Sequence, residues 1–133
     1  MAERIALHRR SRDPHWHLVE EPLALAEVMQ AQRGEPVCMV VDCLTLWLSN
    51  CLHAQCWPMQ KDALLQALEH TQDHVILVSN ETGLGVVPMG ELSRQFVDES
   101  GFLHQELARL CDRVTLTVAG LPLELKAETG GSV

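Results

Sequence analysis

The chain has 133 residues, of which 47% are hydrophobic and 21% charged, and its formal net charge is −8. This composition excludes a disordered chain, and the acidic balance with few aromatic residues argues against nucleic-acid binding. The longest apolar run, Val37–Val41, is too short for a transmembrane helix. The chain start lacks the apolar stretch of a secretory signal, and five irregularly spaced cysteines fit a reducing compartment. A cytoplasmic protein without a membrane span is therefore expected.

Helical and strand-like segments alternate along the chain. Helices are predicted at 1–11, 23–32, 44–52, 60–70 and 91–110, the last with a break near Ser100-Gly101. Strands are predicted at 15–20, 37–41, 75–79, 114–118 and 123–126. The run 37–41 is continuously apolar, which is typical of a strand buried on both faces, and 75–79 is the second predicted buried strand. Strands separated by helices indicate an α/β protein with a parallel sheet.

Acidic residues follow the two strongest predicted strands. Asp42 ends the first, and Asn80-Glu81 follows the second. Ligands of parallel α/β sheets bind beyond the carboxyl ends of the strands, where two carboxylates could bind Mg²⁺ directly or through water. The alternative is that each acid caps the following helix. The segment from Cys51 to Cys56 also contains His53, but the spacing of the three residues is not that of a zinc site. Cysteines in an apolar helix are normally part of the core.

Positive charge is concentrated at the amino end. Residues 1–12 have a net charge of +3, and the remaining residues one of −11. If this segment is helical, Arg4, His8 and Arg12 lie on one face. A neutral imidazole can attack phosphorus and hold the transferred group, while guanidiniums neutralise the phosphate. The alternative is a solvated helix face with a surface histidine.

Several segments, in order along nearly the whole chain to about Lys126, resemble one family. The most specific are Asp42-Cys-Leu-Thr-Leu-Trp-Leu-Ser-Asn50 and Ser79-Asn-Glu-Thr-Gly-Leu-Gly-Val-Val-Pro88, together with Arg4-Ile-Ala-Leu-His8-Arg, Pro14-His-Trp16 and Val118-Ala-Gly-Leu-Pro122. They are similar to the bifunctional adenosylcobinamide kinases / adenosylcobinamide-phosphate guanylyltransferases of cobalamin biosynthesis.

This resemblance implies a P-loop NTPase-like (RecA-like) parallel sheet flanked by helices. It implies phosphorylation of adenosylcobinamide by ATP or GTP, then transfer of GMP from GTP through a GMP-histidine intermediate. His8 maps onto the nucleotide-accepting histidine. Asp42 maps onto the acid that contacts Mg²⁺. The nucleotide-binding positions implied are Arg9, Ser11, Arg12, Asp13, Pro14, Glu20 and Asp42. The resemblance also suggests a homo-oligomer.

One departure from the family pattern concerns the front of the chain. The family's first strand and its Gly-Gly-x-Arg-Ser-Gly-Lys-Ser phosphate loop, with the helix and strand that follow, precede the position that matches Met1. The chain is therefore expected to be an N-terminally truncated domain spanning 1–126, with a flexible tail at 127–133. The faces of strands 37–41 and 75–79 are then expected to be partly uncovered. A non-catalytic remnant, or an oligomerisation partner of a full-length copy, is the alternative function.

Overall fold

A computed structural model of the chain describes residues 16–31, 37–81 and 91–127, the side chains of 91–93 excepted. The described part contains four helices and four strands. The helices are α1 (Leu25–Gln30), α2 (Leu44–His53), α3 (Trp57–His70) and α4 (Glu91–Leu110). The strands are β1 (Cys38–Asp42), β2 (His74–Val78), β3 (Val114–Val118) and β4 (Leu121–Lys126). The predictions for 1–11 and for the loop at 82–88 lie outside the described residues.

Strands β1 and β2 form a parallel pair in which Cys38 lies opposite His74 and Asp42 opposite Val78. The start of the pair is held by the Asp73 carboxylate, which accepts a hydrogen bond from the Val37 backbone amide at 2.9 Å. Helices α2 and α3 connect the two strands, as the alternation of segments predicts for a parallel crossover. The class α/β with a parallel sheet and helices is thus confirmed.

The prediction that β1 and β2 are buried on both faces is wrong for the described part of the chain. In both strands exposed and half-buried residues alternate. Met39, Val41 and Leu77 pack against the helical core, whereas Val40 and Ile76 on the other face are each 44% exposed. The expectation of partly uncovered strand faces is met. A continuous apolar run does not reveal how many faces are covered, because the covering elements are distant in sequence.

The core lies between the helices. Its largest fully buried side chains are Leu44, Leu48, Cys51, Leu64 and Leu103. The predicted helix break near Ser100-Gly101 is wrong, since α4 is continuous through both residues. Glycine inside a helix costs about 1 kcal/mol, and burial of the apolar face of α4, including Leu103 and Leu107, offsets that cost.

Strands β3 and β4 form an antiparallel hairpin rather than part of the parallel pair. The turn residues Ala119 and Gly120 both have positive φ angles, 52° and 77°, as a two-residue hairpin turn requires. The predicted strand at 15–20 is also corrected: residues 16–20 form no strand and are exposed. In the described part of the chain no strand lies beside them, so this alternating segment makes no backbone pairing with a sheet.

Candidate functional site

The carboxyl edge of the parallel pair presents an acid. Asp42 is the last residue of β1, is exposed, and lies on the same face as the half-exposed Val40. Among residues 16–31, 37–81 and 91–127, no side chain pairs with its carboxylate. An accessible carboxylate with vacant coordination positions suits Mg²⁺, which binds through one or two carboxylates plus substrate phosphates and water. Asp42 therefore fits the role that the sequence assigns to it.

The residues after β2 are tied to two helices. The Ser79 hydroxyl lies 2.8 Å from the His104 Nε2 atom on α4 and 3.4 Å from the Thr45 hydroxyl on α2. The Thr45 hydroxyl also accepts a hydrogen bond from the Asn80 backbone amide at 2.9 Å. His104 Nδ1 lies 3.9 Å from a carboxylate oxygen of Glu81. Side chains from three elements thus meet at the end of β2.

Helix α2 also holds the segment that precedes α1. The Trp47 indole nitrogen donates to the Leu23 carbonyl oxygen at 2.8 Å, and the Asn50 amide donates to the Pro22 carbonyl oxygen at 3.2 Å. Both side chains belong to the segment 42–50, one of the two most specific family-like motifs. Its polar and aromatic residues therefore attach two distant segments to the helix that follows Asp42.

Glu20 and Glu21 lie in the segment held by α2, and both are exposed. The Glu21 carboxylate accepts hydrogen bonds from the Leu23 and Ala24 backbone amides at 3.0 and 3.2 Å. The hydrogen bond from the Leu23 amide, and to a smaller extent the one from the Ala24 amide, lowers the pKa of Glu21. Glu21 therefore stabilises the chain entering α1, and Glu20 precedes by two residues the first of the two positions that α2 anchors, Pro22.

The remaining predicted site residues lie outside the described part of the chain. They are His8, Arg9, Ser11, Arg12, Asp13 and Pro14. Their roles stay predictions, as do the shared Mg²⁺ site of Asp42 and Glu81 and the nucleotide role of Glu20. Thr45, Ser79 and His104 are partners at this edge that the sequence did not predict. The first two lie inside the quoted motifs, which was a usable signal, whereas nothing in the sequence pointed to His104.

Both cysteines of the Cys51–Cys56 stretch belong to the core, Cys51 within it and Cys56 packed against it, whereas residues 53–55 are exposed. Cys51 is fully buried. This burial is the main cause that raises the pKa of Cys51 to about 12, and the neighbouring Cys56 thiol is the second cause. Within the described residues, no three or more His, Cys, Asp or Glu side chains cluster in a way that could hold a metal ion. The same part of the chain contains no helix long and apolar enough to cross a membrane.

Fold and site together define an α/β protein with an accessible acid at the carboxyl edge of its parallel strands. Residues 1–125 match the family model for cobinamide kinase / cobinamide phosphate guanyltransferase. The chain belongs to this family, and its curated relatives are named as bifunctional enzymes of adenosylcobalamin biosynthesis.

The relatives extend the comparison to three bacteria. The chain is 54% identical, over 131 residues, to the bifunctional adenosylcobalamin biosynthesis protein CobP of Pseudomonas aeruginosa, covering 96% of this chain and 76% of the relative. It is 31% identical, over 142 residues, to the corresponding CobU proteins of Escherichia coli and Salmonella typhimurium, covering 95% of this chain and 78% of each relative. The suspected family resemblance is thus confirmed.

Proposed function

We propose that this chain acts on adenosylcobinamide in cobalamin biosynthesis, as a kinase and as a guanylyltransferase. The observation that carries the proposal is the arrangement around α2. This helix begins two residues after Asp42, holds the end of β2 through Thr45, and holds the segment next to Glu20 through Trp47 and Asn50. Asp42 and Glu20, two acidic positions that the family resemblance assigns to the nucleotide, thus adjoin segments that this one helix connects.

The guanylyltransferase reaction proceeds in two displacements. A neutral His8 ring nitrogen attacks the α-phosphorus of GTP, the N–P bond forms, and the bond to the leaving pyrophosphate breaks. A phosphate oxygen of adenosylcobinamide phosphate then attacks the same phosphorus and releases His8. Arg9 and Arg12 neutralise the phosphate charge that develops in each step. The kinase step transfers the γ-phosphoryl group of ATP or GTP to the adenosylcobinamide hydroxyl and releases the nucleoside diphosphate.

Asp42 is the residue that would hold Mg²⁺. Bound there, the ion would neutralise charge on the nucleotide phosphates. The carboxylate is exposed and ends a strand, so it can reach a phosphate-bound ion without the cost of burying a charge. Ser11, Asp13, Pro14 and Glu20 contribute nucleotide contacts in this proposal.

We further propose that the parallel pair β1–β2 belongs to a P-loop-type (RecA-like) sheet and that the protein works in the cytoplasm. The parallel β1–β2 pair, the helical crossover and the acid at the end of β1 support this fold. The half-exposed faces of these strands are consistent with additional structure covering them.

Labelling tests the covalent step. The full chain is incubated with GTP labelled at the α-phosphorus and Mg²⁺, and acid-labile, alkali-stable label on the protein is measured. Wild type should be labelled, His8→Ala should not, and His17→Ala, which alters a histidine in the exposed segment 16–20, should behave as wild type. Label that is retained in His8→Ala would exclude His8 as the acceptor.

A non-catalytic role as an oligomerisation partner is the second candidate. It is favoured by the exposed apolar residues of β4, where Leu121, Leu123 and Leu125 are 55–70% exposed. Large exposed apolar patches mark interaction surfaces. In this case the chain would form assemblies in sedimentation experiments while neither binding GTP nor accepting label. A folded chain that binds GTP with about micromolar affinity would exclude this candidate.

A further inference from the structure

His104 lies between the two side chains that follow β2. Its Nε2 atom is 2.8 Å from the Ser79 hydroxyl, and its Nδ1 atom is 3.9 Å from the Glu81 carboxylate. The His104 side chain is 26% exposed, and that of Glu81 is 40% exposed. The Ser79 contact is therefore a part-buried hydrogen bond, whereas Glu81 faces more of the solvent.

Thr45 connects this pair to the helix that begins after Asp42. Its hydroxyl oxygen accepts the Asn80 amide hydrogen, and its own hydrogen can be donated to Ser79, 3.4 Å away. Ser79 can then donate to His104 Nε2, which directs an Nδ1–H group toward Glu81. The contacts form one directional chain from α2 across the end of β2 to α4.

We propose that His104 is a positioning residue for the nucleotide phosphates. It acts through Ser79, whose orientation it fixes, and so holds the carboxyl end of β2 in register with Asp42 at the end of β1. The inference rests on the proposed function, because it assigns the phosphates to this edge of the sheet. His104 itself contacts no reacting atom in this proposal.

The strand register explains why this position matters. Asp42 lies opposite Val78, so Ser79 and Asn80 are the first residues beyond the edge where Asp42 ends β1. Without the His104 bond, Ser79 loses its shortest side-chain contact. The Thr45 hydroxyl, which accepts from the Asn80 amide at 2.9 Å and lies 3.4 Å from the Ser79 hydroxyl, then remains as the described side-chain link between residues 79 and 80 and α2. A displaced strand end would weaken nucleotide binding more than it would slow the chemical step.

Replacing His104 by Gln or by Asn distinguishes the contact of its Nε2 atom from that of its Nδ1 atom. His104→Gln places its amide near the position of Nε2 and keeps the bond to Ser79, whereas His104→Asn places it near Nδ1 and loses that bond. Ser79→Ala removes the same bond from the other side. His70→Asn is the matched control, since His70 lies on α3 before the amino end of β2, is exposed, and its ring is hydrogen-bonded to the Gln66 carbonyl oxygen of its own helix.

The measurements are the KM for GTP and the maximal rate of His8 labelling, with the Kd for GTP in the presence of Mg²⁺. We expect His104→Asn and Ser79→Ala to raise KM and Kd about tenfold, the loss expected for one hydrogen bond in a fixed site. The maximal rate should change less than about twofold, and His104→Gln should restore both constants to within about threefold.

The outcomes distinguish this inference from the proposed function. Unchanged constants in His104→Asn overturn the inference while labelling of wild type still supports the function. Equal impairment of the Gln and Asn variants also overturns it, because the Ser79 contact is then not what matters. If wild type binds GTP but is not labelled, the covalent step fails and the Kd values alone decide the role of His104. A wild-type chain that binds no GTP overturns the inference.

Discussion

Replacing Trp47 with phenylalanine removes one hydrogen-bond donor and keeps an aromatic ring in the core. Trp47 is 5% exposed and packs edge-to-face on Trp57, with ring centroids 5.1 Å apart. Its indole nitrogen donates to the Leu23 carbonyl oxygen at 2.8 Å. The variant therefore tests the bond by which α2 holds the chain next to Glu20.

The expected loss follows from the contacts that are removed. A hydrogen bond of this kind contributes about 1 kcal/mol net. The Leu23 carbonyl oxygen keeps a second donor, the Leu25 backbone amide at 3.0 Å, so no further cost arises from an unpaired carbonyl. The smaller ring also leaves unfilled space in the core, which adds about 0.5–1 kcal/mol. We expect Trp47→Phe to lower the free energy of unfolding by about 1.5–2 kcal/mol, a large fraction of the total for a small domain.

Asn50→Ala provides an independent test of the same attachment. Its bond to the Pro22 carbonyl oxygen is longer and exposed, so we expect a loss of about 0.5–1 kcal/mol. Because both side chains hold one short segment, the double variant should lose about 0.5 kcal/mol less than the sum of the single losses. Trp57→Phe is the control: its indole bonds Glu99 on α4, so it should be additive with Asn50→Ala.

Urea unfolding followed by far-ultraviolet circular dichroism measures these energies without relying on tryptophan fluorescence. The slope against urea should be unchanged, which shows that the same surface is exposed on unfolding. A Trp47→Phe protein within about 0.5 kcal/mol of wild type, or strict additivity with Asn50→Ala, would refute the reasoning that α2 holds this segment.

Burial, thiol ionisation and the attachment of the hairpin each have a direct test. Leu64→Ala, in the fully buried core, should cost about 2–5 kcal/mol, whereas Leu46→Ala, at a position 62% exposed, should cost less than about 0.5 kcal/mol; similar losses in urea unfolding would contradict the assigned core. Burial raises the pKa of Cys51 from 9.0 to about 12, so at alkaline pH the unfolded chain loses the thiol proton before the folded protein does. The contribution of Cys51 to the free energy of unfolding is therefore complete below about pH 9 and falls above that value by up to about 1.4 kcal/mol per pH unit. Cys51→Ala should lack this pH-dependent loss of stability. Equal slopes of the free energy of unfolding against pH for the two proteins, between about pH 8 and 10.5, would contradict the prediction. Lys126 donates to the last carbonyl oxygens of α4 at 2.9 and 3.4 Å, so Lys126→Met should cost about 1 kcal/mol. Arg113→Met breaks an exposed ion pair and should cost less than about 0.5 kcal/mol; thermal unfolding that ranks these two variants in the opposite order would contradict the attachment.

Local sequence patterns predicted most of the elements. The helix predicted at 44–52 is α2, and the one predicted at 60–70 begins three residues earlier, at Trp57, because Pro58 is favourable in the first turn. The strands predicted at 37–41 and 75–79 differ from β1 and β2 by one residue at each end. These elements have strong local signals: apolar periodicity for the helices and a β-branched apolar run for the strands.

Packing against distant elements and the conformation of one turn decided the rest. The continuous helix through Ser100-Gly101 depends on burial of its apolar face, which overrides the local preference for a break. The antiparallel pairing of β3 depends on a turn whose positive φ values at Ala119 and Gly120 reverse the chain. The core that covers α4 is distant in sequence, whereas β4 follows β3 directly and the pairing is decided by the conformation of the two turn residues.

The amino-acid sequence by itself determined the family, the α/β class and the acid at the end of β1, because motifs and periodicity are properties of neighbouring residues. Only the tertiary structure brought His104 to Ser79, 25 residues away, and Trp47 to Leu23, 24 residues away. Such pairs form when packed helices and strands bring distant side chains within hydrogen-bond distance. The number of residues between the partners does not predict that they will meet.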